Sequence, residues 1–183
     1  IKSPLTLVLC DKEKNNKNCG LLQLREITEP DLLYKQYFYR TATNDTMRKD
    51  LNNLVDQVLK IVNPNEKDIV VDIGSNDCTM LNFYENKFQL VGFEPAKNIK
   101  FIDKGKNIKI INNYFNSKNF KENFQEKKAK IITSCAMFYD LENPIQFVKN
   151  IEEILDDNGV WCCQISYLDS MIRFNNFYDI CHE

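Results

Sequence analysis

Short apolar runs alternate with amphipathic segments over most of the chain. Runs of apolar and β-branched residues predict strands over 68–73, 88–93, 108–112, 129–135 and 159–167. Between them, apolar residues at helical spacing predict helices over 76–85, 96–104, 116–126 and 143–156. The sequence DDNG, Asp156 to Gly159, predicts the stop of the last helix and a turn. This alternation predicts an α/β fold with a doubly wound, mostly parallel sheet that is covered on both faces.

A longer amphipathic helix is predicted before the first of these strands. Asn44 or Asp45 can cap it and Pro64 ends it, and one stripe is apolar: Met47, Leu51, Leu54, Val55, Val58 and Leu59. Upstream lie two short apolar strands, Leu5 to Leu9 and Leu21 to Leu24, and the aromatic cluster YKQYFY. We therefore predict two domains, a small N-terminal lobe over 1–43 and a Rossmann-like domain over 44–183.

Composition narrows the class of protein. With 183 residues, 43% of them hydrophobic and 27% charged, the chain suits one globular α/β domain with a small appendage. A net charge of −2 offers no general attraction to nucleic acid. Seven cysteines, two of them adjacent at Cys162 and Cys163, favour reduced thiols and a cytoplasmic location. No run approaches the ~18 apolar residues of a membrane span. The chain begins at Ile1 without a methionine, and we expect it to be part of a longer protein.

The loop after the strand at 68–73 carries the main chemical signal. It reads IVVDIGSNDCTML, with Gly74 as its only glycine between Asp72 and Asp77. A dinucleotide-binding loop has two further glycines, which let pyrophosphate approach backbone amides. No Lys or Arg occurs between Lys67 and Asn86 to offset the two carboxylates. An acidic loop favours a cationic ligand, such as S-adenosylmethionine (SAM).

An acidic residue also follows the next predicted strand. Glu94, in LVGFEPA, follows Gly74 by twenty residues, where a carboxylate can accept both hydroxyls of an adenosine ribose. Asp72, Gly74 and Glu94 together favour SAM over NAD, although Glu94 would also serve the ribose of NAD. A purely structural interpretation stays open, in which Asp72 caps a helix and Glu94 is a solvated strand end.

Several motifs, in the same order, resemble those of SAM-dependent C-methyltransferases that act on nucleotide-linked deoxysugars. The resemblance covers nearly the whole chain and implies a class I methyltransferase fold. YKQYFYRTATNDTMR resembles the family's Y-x-Y-x-S-x-x-S-x-T-M-R segment, and VVDIGSNDCTML its D-I-G-S-N-D-G-T-L-L loop. GFEPAKNI resembles the second acidic strand end, and the segment from ITSCAMFYDL to CCQISYL the fourth strand, helix and fifth strand. SPLTLVLC…CGLLQL is similar to a cysteine pair and the strand after it, and the final YDICHE to the start of I-C-H-E-H-L-E-Y-Y.

The resemblance implies a mechanism and the residues that carry it. A general base removes a proton beside the keto group of a nucleotide-linked sugar, and the enolate carbon takes the SAM methyl group. His182, the only histidine, is implied as the base with Glu183 beside it, and Tyr39 as a phenol near the enolate, with Tyr37 in reserve. The cofactor residues carried over are Asp72, Gly74, Ser75, Asn76, Asp77, Glu94, Pro95, Asn113, Cys135, Ala136 and Met137.

The chain departs from the family pattern at three places. Cys78 replaces a glycine, and we expect weaker SAM binding because glycine adopts positive φ at little cost. The first cysteine pair of the family is absent and the second, Cys10 and Cys19, is separated by eight residues, so we expect no zinc. The sequence stops at Glu183, before the family's second histidine and its aromatic residues.

Three functions fit these observations. The first is the sugar C-methyltransferase, whose partner is a nucleotide-linked sugar rather than nucleic acid or a membrane. The second is an O- or N-methyltransferase with the same SAM loop, which has no need of the motif around His182. The third is a non-catalytic SAM-binding module, which the missing cysteines and Cys78 favour.

Overall fold

The chain divides into two compact units, Ile1–Leu33 with Ser166–Glu183, and Tyr34–Ile165. The computed structural model describes residues 4, 6–11, 13–14, 17–26, 28–102 and 104–175. Its elements, in chain order, are β1 (Leu7–Leu9), β2 (Leu22–Leu24), α1 (Pro30–Tyr34), α2 (Asp45–Val62), β3 (Ile69–Ile73), β4 (Gln89–Phe93), β5 (Ile108–Ile111), α3 (Ser117–Phe124), β6 (Ala129–Cys135), α4 (Pro144–Ile154), β7 (Leu155–Gln164) and α5 (Leu168–Arg173). None of the helices in the described part of the chain has the length and apolar character needed to cross a membrane.

A hairpin brings the two N-terminal cysteines together in the first unit. Strands β1 and β2 pair antiparallel, and beyond them the N–H of Cys10 donates to the carbonyl of Leu21. Gly20, at φ +77°, donates to the carbonyl of Cys10, so a bulge closes the long loop. The N–H of Cys19 lies 3.4 Å from Sγ of Cys10, and this contact lowers the pKa of the Cys10 thiol. Among the described residues, no group of three or more potential metal ligands occurs.

Helix α2 begins and ends as its sequence predicts. Oδ1 of Asn44 accepts the N–H of Met47 at 3.0 Å, which satisfies one of the free donors of the first turn. Leu51, Val55 and Val58 are buried, one turn apart on one stripe. Asn63 takes a left-handed conformation at the C-terminus, and Pro64 cannot continue the helix.

The sheet of the second unit is parallel throughout, in the order β5-β4-β3-β6-β7. On one face Val70, Leu90 and Ile131 pack against α2, whereas the other face is covered by α3 and α4 through Phe120, Phe147 and Ile151. The predicted α/β, doubly wound fold is therefore confirmed. The strand order reverses direction between β3 and β6, and ligands bind at such a switch point beside the carboxyl ends of the strands.

Two of the predicted helices do not form, and the last strand is shifted. The segment 76–85 contains only a 3-10 turn, Leu81–Phe83, because Asn76 and Cys78 adopt positive φ and interrupt a helix. The described residues of 96–104 are also non-helical. The predicted strand 159–167 is β7, which begins at Leu155, ends at Gln164, and has an irregular register around the DDNG sequence.

Candidate active site

Three loops meet at the carboxyl ends of β3, β4 and β6. The loop after β3 begins at Gly74, whose φ is +72°, and the N–H groups of Gly74 and Ser75 both donate to the carbonyl of Phe93. Gly74 is exposed, and a Cβ built on it would lie 3.7 Å from Cγ of Met137, after β6. The predicted loop residues Gly74 and Met137 are therefore neighbours, with the end of β4 beside them.

Glu94 presents a carboxylate that backbone donors hold in place. Its Oε2 accepts the N–H of Asn76 at 2.8 Å, and its Oε1 accepts the N–H of Ala96 at the same distance. The side chain is 5% exposed, and burial raises its pKa while the two N–H groups and the Arg40 charge oppose that rise. Each oxygen keeps a lone pair for a further donor, so the fixed carboxylate can accept two adjacent hydroxyls.

Asp72 is a buried acid within the sheet, not a helix cap. Oδ1 of Asp72 accepts the hydroxyl of Thr133 at 2.7 Å, and burial raises its pKa to about 7. The carboxyl is therefore only partly ionised at neutral pH. The sequence suggests that two carboxylates beside the loop attract a cation. Asp72 contributes less to this attraction than an exposed, fully ionised aspartate would.

Asn76 and Asp77 bind the chain segment that precedes α2. We call residues 34–43 the tyrosine segment. The N–H of Thr41 donates to Oδ1 of Asn76 at 3.1 Å, and the N–H of Ala42 donates to Oδ2 of Asp77 at 2.9 Å. The amide of Asn76 also donates to the carbonyl of Tyr39. Both predicted cofactor residues are buried and hold this segment beside the loop after β3.

Cys78 occupies a position that favours glycine. Its φ is +66°, and its side chain is fully buried in the cluster beneath α2. Burial raises the pKa of the thiol to about 12, so the group is neutral. The side chain therefore does not enter the loop, and the cost of replacing glycine lies in the positive φ, as the sequence indicates.

The tyrosine segment offers two phenols near the loops. The Tyr37 phenol is half-buried, and after burial the negative charges of Asp140 and Glu94 contribute to raising its pKa. After burial, the negative charge of Asp77 contributes to raising the pKa of the Tyr39 phenol, and Asn44 is its hydrogen-bond partner. The charges of the carboxylates after β4 and β6 therefore act on Tyr37, whereas Tyr39 interacts with Asp77 and Asn44.

The remaining predicted cofactor residues differ in accessibility. Asn113 is exposed at the end of β5, and its Oδ1 accepts the N–H of Tyr114. Asn112, which is not among the predicted site residues, donates to the carbonyl of Glu94 at 2.6 Å and so fixes this strand end. Asn112 is identified only by this contact between the ends of two strands. The motif alone does not show the contact. Pro95 is half-buried after Glu94.

The loop after β6 turns sharply at Ala136. This residue is exposed with φ +51°, and its N–H donates to the carbonyl of Gln164. Cys135 packs towards the cluster beneath α2, and Met137 packs towards the opposite cluster. Such strain in a non-glycine residue is often concentrated at functional sites. His182 and Glu183 lie outside the described residues.

One curated protein is similar to nearly the whole chain. C-methyltransferase NovU of Streptomyces niveus is 24% identical over 182 residues, which are 98% of this chain and 42% of that protein. The chain thus spans about two fifths of the length of this curated relative.

Solved structures of a methyltransferase and of a cyclopropane synthase share the fold. The plantazolicin methyltransferase BpumL, in complex with a triazolic desmethylPZN analog and SAH, is 15% identical, with a TM-score of 0.55 over 75% of this chain and 59% of that chain. The cyclopropane synthase MmaA2 from Mycobacterium tuberculosis is also 15% identical, with a TM-score of 0.51 over 80% of this chain and 54% of that chain.

A family model described as a methyltransferase domain matches residues 43–181, which is more than half of the chain. The predicted enzyme class, a SAM-dependent methyltransferase, and its cofactor SAM are thereby confirmed at the level of the family: the chain belongs to the methyltransferase domain family.

Proposed function

We propose that the chain is the SAM-binding part of a C-methyltransferase whose acceptor is a carbon of a nucleotide-linked keto-deoxysugar. The observation that carries the proposal is the carboxylate of Glu94, held by two backbone N–H groups beside the Gly74 loop. The similarity to NovU, named a C-methyltransferase, supports carbon as the methylated atom. The order of the motifs supports the keto sugar.

The loops fit SAM better than a dinucleotide. A pyrophosphate needs backbone amides at a helix N-terminus, and the segment after β3 forms no α-helix. Glu94 would hold the ribose, Pro95 and Asn113 would lie along the adenine, and Gly74, Cys135, Ala136 and Met137 would surround the methionine part. Asp72, Ser75, Asn76 and Asp77 would shape the loop from beneath. When bound, SAM supplies an electrophilic methyl group.

The chain's own residues would handle the proton. We assign the general base to His182, with Glu183 beside it, because an imidazole is poised near neutral pH. Tyr37 is the better candidate for the phenol that hydrogen-bonds the enolate oxygen, since the charges of Glu94 and Asp140, which follow β4 and β6, act on it. Its raised pKa keeps it protonated and able to donate. Tyr39, the preference from sequence, remains the matched comparison.

Calorimetric titration with S-adenosylhomocysteine (SAH), with NAD in a parallel cell, tests the cofactor assignment. We expect micromolar binding of SAH and none of NAD. Binding of NAD, or of neither ligand, would contradict the assignment.

Deuterium exchange tests the chemistry without requiring methyl transfer. A nucleotide-linked 4-keto sugar in D₂O with SAH present should lose one C–H signal in NMR. His182→Gln should abolish the exchange, and Tyr37→Phe should slow it more than Tyr39→Phe. SAH binding without exchange would favour the non-catalytic module. Methylation of a hydroxyl or amine would favour the O- or N-methyltransferase.

A further inference from the structure

Arg40 lies in the tyrosine segment and joins it to the loop after β4. Its Nη1 donates to the carbonyls of Tyr37 and Tyr39, at 2.7 and 2.8 Å, and its Nη2 donates to the carbonyl of Asn98 at 2.9 Å. A planar guanidinium can hold three acceptors in one fixed arrangement, which a lysine ammonium cannot reproduce.

Asn98 completes the connection from the other side. Its Oδ1 accepts the N–H of Tyr37 at 2.9 Å, and its Nδ2 donates to the carbonyl of the same residue at 3.0 Å. The side chain of Asn98 thus pairs with Tyr37 as a neighbouring strand would. Tyr37, Tyr39, Arg40 and Asn98 form a network of five hydrogen bonds, and Asn98 lies four residues after Glu94.

We propose that Arg40 is a positioning residue that couples order in the tyrosine segment to the cofactor carboxylate Glu94. This inference rests on the proposed function, because it assigns a consequence for SAM binding. The same segment also binds Asn76, whose own N–H donates to Glu94. Loss of Arg40 would therefore loosen Tyr37 and the backbone that orients the carboxylate.

The charge of Arg40 acts in the same direction. It lowers the pKa of Glu94, against the larger effect of burial, and so favours the ionised acceptor. The other titratable groups that interact with Glu94 are Tyr37 from the segment, and Asp72 and Cys78 from β3 and its loop. Because the pKa of Asp72 is about 7, the pH dependence is best measured in an Asp72→Asn background.

The test compares Arg40→Gln, Arg40→Lys and Asn98→Ala with the control Arg48→Gln. Arg48 is an exposed arginine that pairs with Asp45 on α2. SAH affinity is measured by calorimetry from pH 5 to 8 in the Asp72→Asn background, and amide hydrogen exchange is measured at 37–42 in the free protein. For Arg40→Gln we expect affinity lower by about tenfold or more. We also expect faster amide hydrogen exchange at 37–42. As the pH is lowered, SAH binding should be lost at a higher pH than in the protein with Arg40.

The two other variants separate hydrogen bonding from charge. Arg40→Lys keeps the charge, so it should restore the pH at which SAH binding is lost, but not the slow amide exchange. Asn98→Ala should show faster amide exchange with the wild-type pH dependence of binding. These two variants also carry the test if Arg40→Gln does not fold. The inference is overturned if Arg40→Gln matches Arg48→Gln in both measurements, or if lysine restores both. Absence of SAH binding by the wild-type chain would contradict the proposed function, and the coupling with it.

Discussion

The hydroxyl of Thr133 donates a 2.7 Å hydrogen bond to Oδ1 of Asp72 across the two central strands of the sheet. Thr133 is fully buried and Asp72 is 4% exposed. The carboxyl group is therefore desolvated, and this strong hydrogen bond replaces part of its hydration. The hydrogen bond lowers the pKa of Asp72, but burial dominates and raises it to about 7. This acid therefore titrates in the physiological range.

Asp72 should make folding stability depend on pH between about 4 and 7. Its pKa is higher in the folded state than in the unfolded chain, so the folded state binds the proton more tightly. The contribution to the free energy of unfolding is full below the unfolded pKa and falls by up to about 1.4 kcal/mol per pH unit as pH rises towards 7. Asp72→Asn can still accept the hydrogen bond from Thr133. In this variant, the free energy of unfolding measured in urea should no longer fall over this pH range. If the free energy of unfolding depends on pH in the same way in both proteins over this range, Asp72 is not the titrating group.

Glu94→Gln should weaken SAH binding by about 1.5–3 kcal/mol, the range for a hydrogen bond to a charged group. The amide presents one oxygen and one NH₂ where Asn76 and Ala96 both donate, so one backbone N–H also loses its acceptor. Calorimetry measures the change, and Glu85→Gln, an exposed carboxylate paired with Lys87, is the control. Equal losses in the two variants would mean that the ribose lies elsewhere.

Cys78 should be replaced more easily by glycine than by alanine. Alanine keeps the strain of φ +66° and loses the buried thiol, whereas glycine loses the thiol but relieves the strain. We expect Cys78→Gly to be more stable than Cys78→Ala by about 1 kcal/mol in urea unfolding. SAH affinity should be the same in Cys78→Gly and the wild type, because the thiol points into the core. A more stable alanine variant would show that the backbone is unstrained.

Gly92 should be intolerant of a side chain. A Cβ at this position of β4 would lie 2.6 Å from Oγ and 3.0 Å from Cβ of Ser75, in the loop after β3. We expect Gly92→Ala to cost about 1–3 kcal/mol of stability, the range for overpacking. Adding Ser75→Gly removes both contacts and should recover part of the loss, leaving the contact with Ile110. No recovery in the double variant would place the strain outside the loop.

The sequence predicted the sheet better than the site. Strands such as β6 are continuous apolar runs, and burial on both faces of a parallel sheet produces that pattern directly. The segment after β3 also has apolar residues at helical spacing, but Cys78, Met80, Leu81 and Tyr84 are all buried, so the pattern reflects burial on several sides rather than a helix.

The contacts that shape the site depend on tertiary structure. Thr133 meets Asp72 only because β6 pairs with β3 in one register, and Arg40 acts through carbonyl groups that carry no sequence signal. Motif spacing located Gly74 and Glu94, since both lie at strand ends. It did not show that Asn76 and Asp77 bind the tyrosine segment.

The all-parallel sheet has a consequence for how the chain folds. Leu90 pairs with Ile108, 18 positions later, and Val71 pairs with Ile132, 61 positions later, so no strand pair of this sheet can form as a local hairpin. Each pairing requires closure of a long loop before its contacts become favourable. We expect refolding of Tyr34–Ile165 to be slow, on the order of milliseconds to seconds, with the central β3–β6 pairing among its late events.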